Sequence, residues 1–253
     1  MNDKKIERVE QKYLITKSEK AALMRAIKSR LKRDKYYKED VISLYFDTPN
    51  YDLVIKSIDH PDFREKVRLR AYDLPKRSTP VFFEVKTKLK VGNRRIGNKR
   101  RLVLKLGDIY KYFNKGEDLV KLTEKYSKGD WQQMQVAKEL DYIAKFHKLE
   151  PKVIIAANRT AFVARDDSGF RLTFDENLRF RETNLKLEKG GDGEKYFSVV
   201  GQKERSIIME VKTLRAMPAW FMAELSRLKI YPTKFSKYGK IYQLIEERKR
   251  ENV

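Results

Sequence analysis

The chain has 253 residues, with 58 Lys and Arg against 36 Asp and Glu, a formal charge of +22. Hydrophobic residues make up 41% of it, enough for a core, which excludes a disordered or collagen-like chain. The absence of Cys excludes disulfides, thiolate metal sites and a cysteine nucleophile, and two histidines, His60 and His147, argue against a His-rich metal centre or a serine-protease relay. No run approaches the roughly 20 apolar residues that span a bilayer. The first seven residues lack the apolar segment of a secretory signal, so the expectation is a soluble, cytoplasmic, strongly cationic protein.

In chain order, residues 8–15 are predicted as a strand and about 18–31 as a helix, with Leu23, Ala26, Ile27 and Leu31 spaced for one face. Residues 41–47 follow as a strand ended by the turn signal Thr48-Pro49-Asn50, and 51–58 as a short helix. Residues 65–73, 81–88 and 94–104 read as strands, with Val91-Gly92-Asn93 turning between the last two. Helices are expected at 106–113 and 131–149, then strands at 153–165 and 170–180 around the turn Asp166-Asp167-Ser168-Gly169. After a polar loop containing Gly190-Gly191-Asp192-Gly193, a strand is expected at 206–213. A helix opens near Pro218, a residue suited to a first turn, and ends near Leu228; a terminal helix starts at Tyr238. Strands paired through hairpins, with helices at the periphery, predict an α+β fold with a largely antiparallel sheet. We expect a single domain over 1–253 carrying a helical insertion at about 105–150.

The strands carry the functional signal. Residues two apart on a strand share a face. Lys66, Arg68, Arg70 and Tyr72 therefore oppose Val67, Leu69 and Ala71, and Glu84, Lys86 and Lys88 oppose Phe83, Val85 and Thr87. Glu210 and Lys212 oppose Ile207, Met209 and Val211; Arg8, Glu10 and Lys12 fall together, as do Arg171, Thr173 and Asp175. An ordinary solvated sheet face accounts for any one strand. Five strands repeating a cation or a carboxylate–cation pair point instead to a closed barrel with a basic lining. Such a lining requires a polyanion and, near the carboxylates, a divalent cation. A linear chain of phosphates has the matching shape and charge, with Arg giving bidentate contacts and Lys a point charge.

These residues resemble the triphosphate tunnel metalloenzymes (the CYTH-like superfamily) and, within them, the VTC domain, the catalytic domain of eukaryotic polyphosphate polymerase. The landmarks, over almost the whole chain, are Arg8-x-Glu10-x-Lys12-Tyr13, Tyr45-Phe46-Asp47-Thr48, Lys66-Val67-Arg68-Leu69-Arg70-x-Tyr72 and Phe83-Glu84-Val85-Lys86. They continue with Lys99-Arg100-Arg101-Leu102, Asn158-Arg159-x-Ala161-Phe162, Arg171-Leu172-Thr173-Phe174-Asp175, Met209-Glu210-Val211-Lys212 and Lys234-Phe235-Ser236-Lys237-Tyr238. The resemblance implies an antiparallel β-barrel, the triphosphate tunnel fold, with peripheral helices. It implies catalytic roles for Lys12, Arg68, Arg70, Glu210 and Lys212. It implies phosphate contacts from Arg8, Lys86, Lys99, Arg101, Arg159, Arg171, Lys234, Ser236 and Lys237, and a metal, Mn²⁺ or Mg²⁺, on Glu210 with Glu10 and Glu84 as helpers.

The hydrolase and cyclase branches open with Glu-x-Glu-x-Lys, and Arg8 stands at the first of those glutamates here. The implied activity is therefore phosphoryl transfer from a nucleoside triphosphate to a polyphosphate chain. The alternatives are hydrolysis of tripolyphosphate or a nucleoside triphosphate on the same scaffold, and non-catalytic polyanion binding. The implied partners are a nucleoside triphosphate and polyphosphate or tripolyphosphate; no specific nucleic acid is expected, and peripheral membrane contact stays open. No Gly-x-x-x-x-Gly-Lys loop competes with this reading. Trp131 and Trp220 are expected as packing anchors, His60 at the surface, and His147 at a helix end.

Overall fold

The structure is a computed structural model that describes residues 8–59, 62–92, 94–166, 168–214 and 216–251. The expectations for the first seven residues, His60, Asn93, Asp167 and the Arg8 side chain lie outside the described residues.

The elements in chain order begin with β1 (Arg8–Ile15), α1 (Lys17–Ile27), β2 (Leu31–Asp47) and α2 (Asp52–Ile58). The strands β3 (Phe63–Tyr72), β4 (Pro80–Val91) and β5 (Arg94–Lys105) follow, then the helices α3 (Leu106–Lys115), α4 (Leu119–Ser127) and α5 (Trp131–Phe146). Next come β6 (Glu150–Ala164), β7 (Arg171–Arg181), β8 (Glu194–Lys195), α6 (Tyr196–Val199), β9 (Ile207–Leu214), α7 (Ala219–Arg227) and α8 (Lys237–Glu251). The strands hydrogen-bond in the order β1-β9-β7-β6-β2-β3-β4-β5, with β8 beside β7. The β1/β9, β7/β9, β2/β3, β3/β4 and β4/β5 pairs all run antiparallel, so the α+β class with an antiparallel sheet holds.

Two compact units form. Unit 1 comprises Met1–Asp40, Ala157–Arg179 and Glu194–Ser236; unit 2 comprises Val41–Ala156, Phe180–Gly193 and Lys237–Val253. In unit 1, Tyr13, Ile15, Leu172, Phe174, Met209 and Val211 turn one sheet face onto α1 and α7, through Leu23, Ile27, Phe221 and Leu225. In unit 2, Val67, Leu69, Phe83, Val85, Leu102 and Leu104 do the same against α3, α4 and α5, through Ile109, Leu122, Leu140 and Ile143. Each core removes one face of its strands from water, at about 25 cal/mol per Å² of apolar surface. That commits the alternate, charged residues to the other face.

Several local expectations need correcting. The 18–31 helix ends at Ile27; a 3₁₀ turn covers Lys28–Arg30, and Leu31 is buried as the first residue of β2. The four-residue spacing of Leu23, Ile27 and Leu31 serves a common core across that change of structure. β2 also starts ten residues before the predicted position 41. Helix α4 was missed, and Trp131 is 63% exposed rather than a packing anchor. Trp220 does pack, against Phe170 and Phe221. Gly169 is positional: its φ is +74°, and a Cβ there would lie 2.4 Å from Leu214 Cδ1.

Candidate functional site

In unit 2, directly opposed residues on neighbouring strands project from the same face. The registers align Ser43 with Arg70 and Phe82, then Tyr45 with Arg68, Glu84 and Arg101, and then Lys66 with Lys86 and Lys99. Lys66, Arg68, Arg70, Lys86, Lys99 and Arg101 thus share one face, and among the residues aligned in these three rows the carboxylate is Glu84. That carboxylate is 1% exposed. Its Oε2 accepts from Arg68 Nε at 2.8 Å and lies 2.7 Å from Arg68 Nη2. Its Oε1 accepts from Arg101 Nε at 2.9 Å and lies 2.6 Å from Lys99 Nζ.

The acid–base balance reports the local potential. Burial alone would raise the Glu84 pKa, yet Arg68, Arg70 and Lys99 hold it down to about 2. Burial, followed by the charges of Arg101 and Arg68, brings Lys99 down to about 8 despite its ion pair with Glu84. Burial would also raise the Tyr45 phenol; Arg68, Arg70 and Lys237 outweigh it and bring the phenol down to about 8. Arg68 Nη1 donates to Tyr45 Oη at 3.3 Å, and Arg70 Nε donates to the neutral Ser43 hydroxyl at 3.3 Å. The Arg101 guanidinium lies 4.2 Å over the Phe82 ring. A face that ionises a phenol and deprotonates a lysine near pH 8 is strongly positive and suited to a polyanion.

In unit 1, the β1/β9 register opposes Glu10 to Lys212 and Lys12 to Glu210; β7/β9 opposes Arg171 to Lys212 and Thr173 to Glu210. Glu10 and Glu210 are therefore diagonal neighbours on one face. Lys212 Nζ lies 2.7 Å from Glu210 Oε1. Burial would raise the Glu210 pKa, but Lys212, Lys12 and Arg159 lower it to about 2. Lys12 Nζ donates to the Phe235 carbonyl at 3.2 Å, and Thr233 N donates to the Lys12 carbonyl at 2.7 Å, tying the segment before Ser236 to β1. Arg159 makes a two-pronged contact with Asp175, at 2.6 and 2.8 Å, and Arg171 Nε donates to Asp34 Oδ2 at 2.7 Å.

Of the predicted residues, unit 2 brings together Arg68, Arg70, Lys86, Lys99, Arg101 and Glu84 on one face, with Lys237 close enough to Tyr45 to influence it. Unit 1 brings together Glu10, Lys12, Glu210, Lys212, Arg159 and Arg171; Lys234 is exposed and Ser236 half-buried. Arg8 is opposite Leu214 in register. Among the described residues, no group of three or more His, Asp and Glu side chains is arranged to hold a metal ion. Sequence reasoning passed over Ser43, Tyr45, Lys66 and Phe82 as site residues. Their period-two spacing was visible, but their membership depends on the cross-strand register.

No helix among the described residues is long and apolar enough to cross a membrane. No curated protein matches the chain. Among solved structures, a Hippeastrum protein named for adenylyl cyclase, and described as revealing a dominant triphosphatase activity, is 16% identical with a TM-score of 0.52, over 92% of this chain and 93% of that one. At that identity the likeness shows the fold. The PH1819 protein of Pyrococcus horikoshii is 14% identical with a TM-score of 0.46, over 95% and 99% of the two chains. A candidate adenylate cyclase of Vibrio parahaemolyticus is 11% identical with a TM-score of 0.41, over 93% and 97%. The VTC domain family matches residues 7–245, nearly the whole length. The chain belongs to the VTC domain family.

Proposed function

We propose that the chain is a divalent-metal-dependent phosphotransferase that builds inorganic polyphosphate from a nucleoside triphosphate. The observation that carries this reading is the unit 2 face, where Lys66, Arg68, Arg70, Lys86, Lys99 and Arg101 are gathered and Arg68, Lys99 and Arg101 already engage both oxygens of Glu84. Such a face is completed by a string of phosphoryl groups. Arg68, Arg70 and Arg101 would grip phosphoryl oxygens through their planar forks, and Lys86, Lys99 and Lys237 would act as point charges. In unit 1 the same roles fall to Lys12, Arg159, Arg171, Lys212 and Lys234, with Ser236 as a hydroxyl donor and Arg8 at the strand start.

An oxyanion at the end of the acceptor chain attacks the γ-phosphorus. The bond from that phosphorus to the β–γ bridging oxygen breaks, and the nucleoside diphosphate leaves with the electron pair. The attacking group is already ionised, so no general base is needed, and catalysis rests on positioning and on neutralising the transferred group. Glu210 and Glu10 fit Mg²⁺ or Mn²⁺: both offer hard carboxylate oxygens on one face, and Glu210 is fully ionised at neutral pH. The bound ion would supply charge neutralisation at phosphoryl oxygens. Glu84, with both oxygens engaged by Arg68, Lys99 and Arg101, serves in this reading to hold those cations in place.

The test is Glu210→Ala incubated with ATP and Mn²⁺. Long-chain product should be lost while urea unfolding stays cooperative; retained synthesis would remove Glu210 from the mechanism. The dominant triphosphatase activity described for the Hippeastrum protein favours hydrolysis as the second reading. Orthophosphate release without long chains in the unsubstituted protein would establish that reading instead.

A further inference from the structure

We propose that unit 1 carries a second site, for a nucleoside phosphate, on the helical side of its sheet. It is a concave site of about 390 Å³ where the end of α1 meets the start of β2 and the end of β6. That volume is within the range of small-molecule sites. Lys28, Lys32, Arg33 and Arg165 line it, and among the described residues no carboxylate does. The two acidic groups closest in sequence are engaged elsewhere: Asp34 accepts from Arg171, and Asp166 accepts from the Ser168 N–H at 3.1 Å. The floor is apolar, made by Met24, Leu31 and Phe162.

The site is built on the core. Phe162 packs edge-on to Phe174, with centroids 6.3 Å apart, and Tyr37 packs edge-on to Phe162 at 5.3 Å. The Arg33 guanidinium lies 4.6 Å over the Tyr37 ring. This aromatic ladder holds a cation at the rim, while the Arg165 N–H donates to the Arg30 carbonyl at 2.9 Å and ties the ends of β6 and β2 together. Met24 and Phe162 pack against the core formed by Met209 and Val211, so the site faces away from Glu210 and Lys212, which alternate with those residues on β9.

An apolar floor ringed by cations matches a ligand that is part flat and apolar, part polyanionic. A membrane surface is disfavoured because the apolar groups form the floor of a concavity rather than protruding. Single-stranded nucleic acid is disfavoured because cations already cover the neighbouring rings, Arg33 over Tyr37 and Lys35 over Tyr36 at 5.5 Å.

The experiment is calorimetric titration of the full chain with ATP, without metal, at about 150 mM salt, where long-range attraction is screened. The unsubstituted protein should bind ATP at a site that Lys28→Glu with Arg165→Glu weakens by about tenfold or more. Lys195→Glu with Lys203→Glu, two exposed cations of the same unit, changes the net charge equally and should leave that site intact. Equal weakening in both pairs, or none in the first, overturns the proposal. Displacement of ATP from the site by equimolar tripolyphosphate overturns the nucleoside part. Polyphosphate formation is read separately in the same variants, so loss of this site and failure of the phosphotransferase reading are distinguishable.

Discussion

Glu84 holds Arg68, Lys99 and Arg101 together on the β3–β5 face. Glu84→Gln keeps the volume but presents Arg68, Lys99 and Arg101 with a neutral amide. Removing one member of a buried ion cluster costs about 3–5 kcal/mol. Lys99 and Arg101 are each 38% exposed and partly screened, so a loss of about 2–3 kcal/mol in urea unfolding is expected. The folded pKa of about 2 lies below the ordinary 4.5. Its stabilisation is therefore complete above pH 4.5 and is lost as pH falls through 2. Glu84→Gln should flatten that acid limb, and added tripolyphosphate should restore more stability to the variant than to the unsubstituted protein. An acid-unfolding curve unchanged by the substitution would place the stabilisation elsewhere.

Among the elements, α2 shows why a short motif can matter beyond its length. Its N-cap, Tyr51, has a φ of +62° and makes no side-chain cap. Asp47, at the end of β2, supplies the cap instead, accepting from Leu53 N at 2.8 Å and Val54 N at 3.0 Å. The same carboxylate accepts from Thr48 N at 2.9 Å and from Tyr238 Oη at 2.8 Å, so it also ties α8 to β2. Tyr238 in turn stacks on Tyr45, centroids 4.8 Å apart, behind Arg68. Tyr238→Phe removes one donor to a buried carboxylate and should cost about 1.5–3 kcal/mol. It should also weaken tripolyphosphate binding through the loosened Tyr45, whereas a stability loss with unchanged affinity would confine Tyr238 to the scaffold. Little of this was legible beforehand, because Asp47 and Tyr238 are 191 positions apart. What the sequence did disclose was period-two alternation: β1 has the predicted bounds, and the Lys66–Arg70 face is as read. The first ten residues of β2 escaped because charged residues fill both faces of 32–35, leaving no apolar alternation to detect.

For the molecule as a whole, a surplus of 22 positive charges opposes compaction and draws in anions, so binding of any polyphosphate should weaken as salt rises. That dependence alone does not separate a built site from diffuse attraction, since solvated lysines contribute to both. Titration does. Diffuse lysines keep their charge to about pH 10, whereas Lys99 and Tyr45 both change charge near pH 8. Above that pH, Lys99 becomes neutral and Tyr45 becomes an anion beside Arg68, and both changes oppose a phosphate ligand. Binding of tripolyphosphate, followed by calorimetry at constant salt, should therefore weaken by about tenfold or more between pH 7 and pH 9. Tyr45→Phe should flatten part of that dependence while retaining affinity at pH 7. An affinity that stays level to pH 9.5 would mean that the phosphates bind to the dispersed surface charge rather than to the Arg68–Glu84 face.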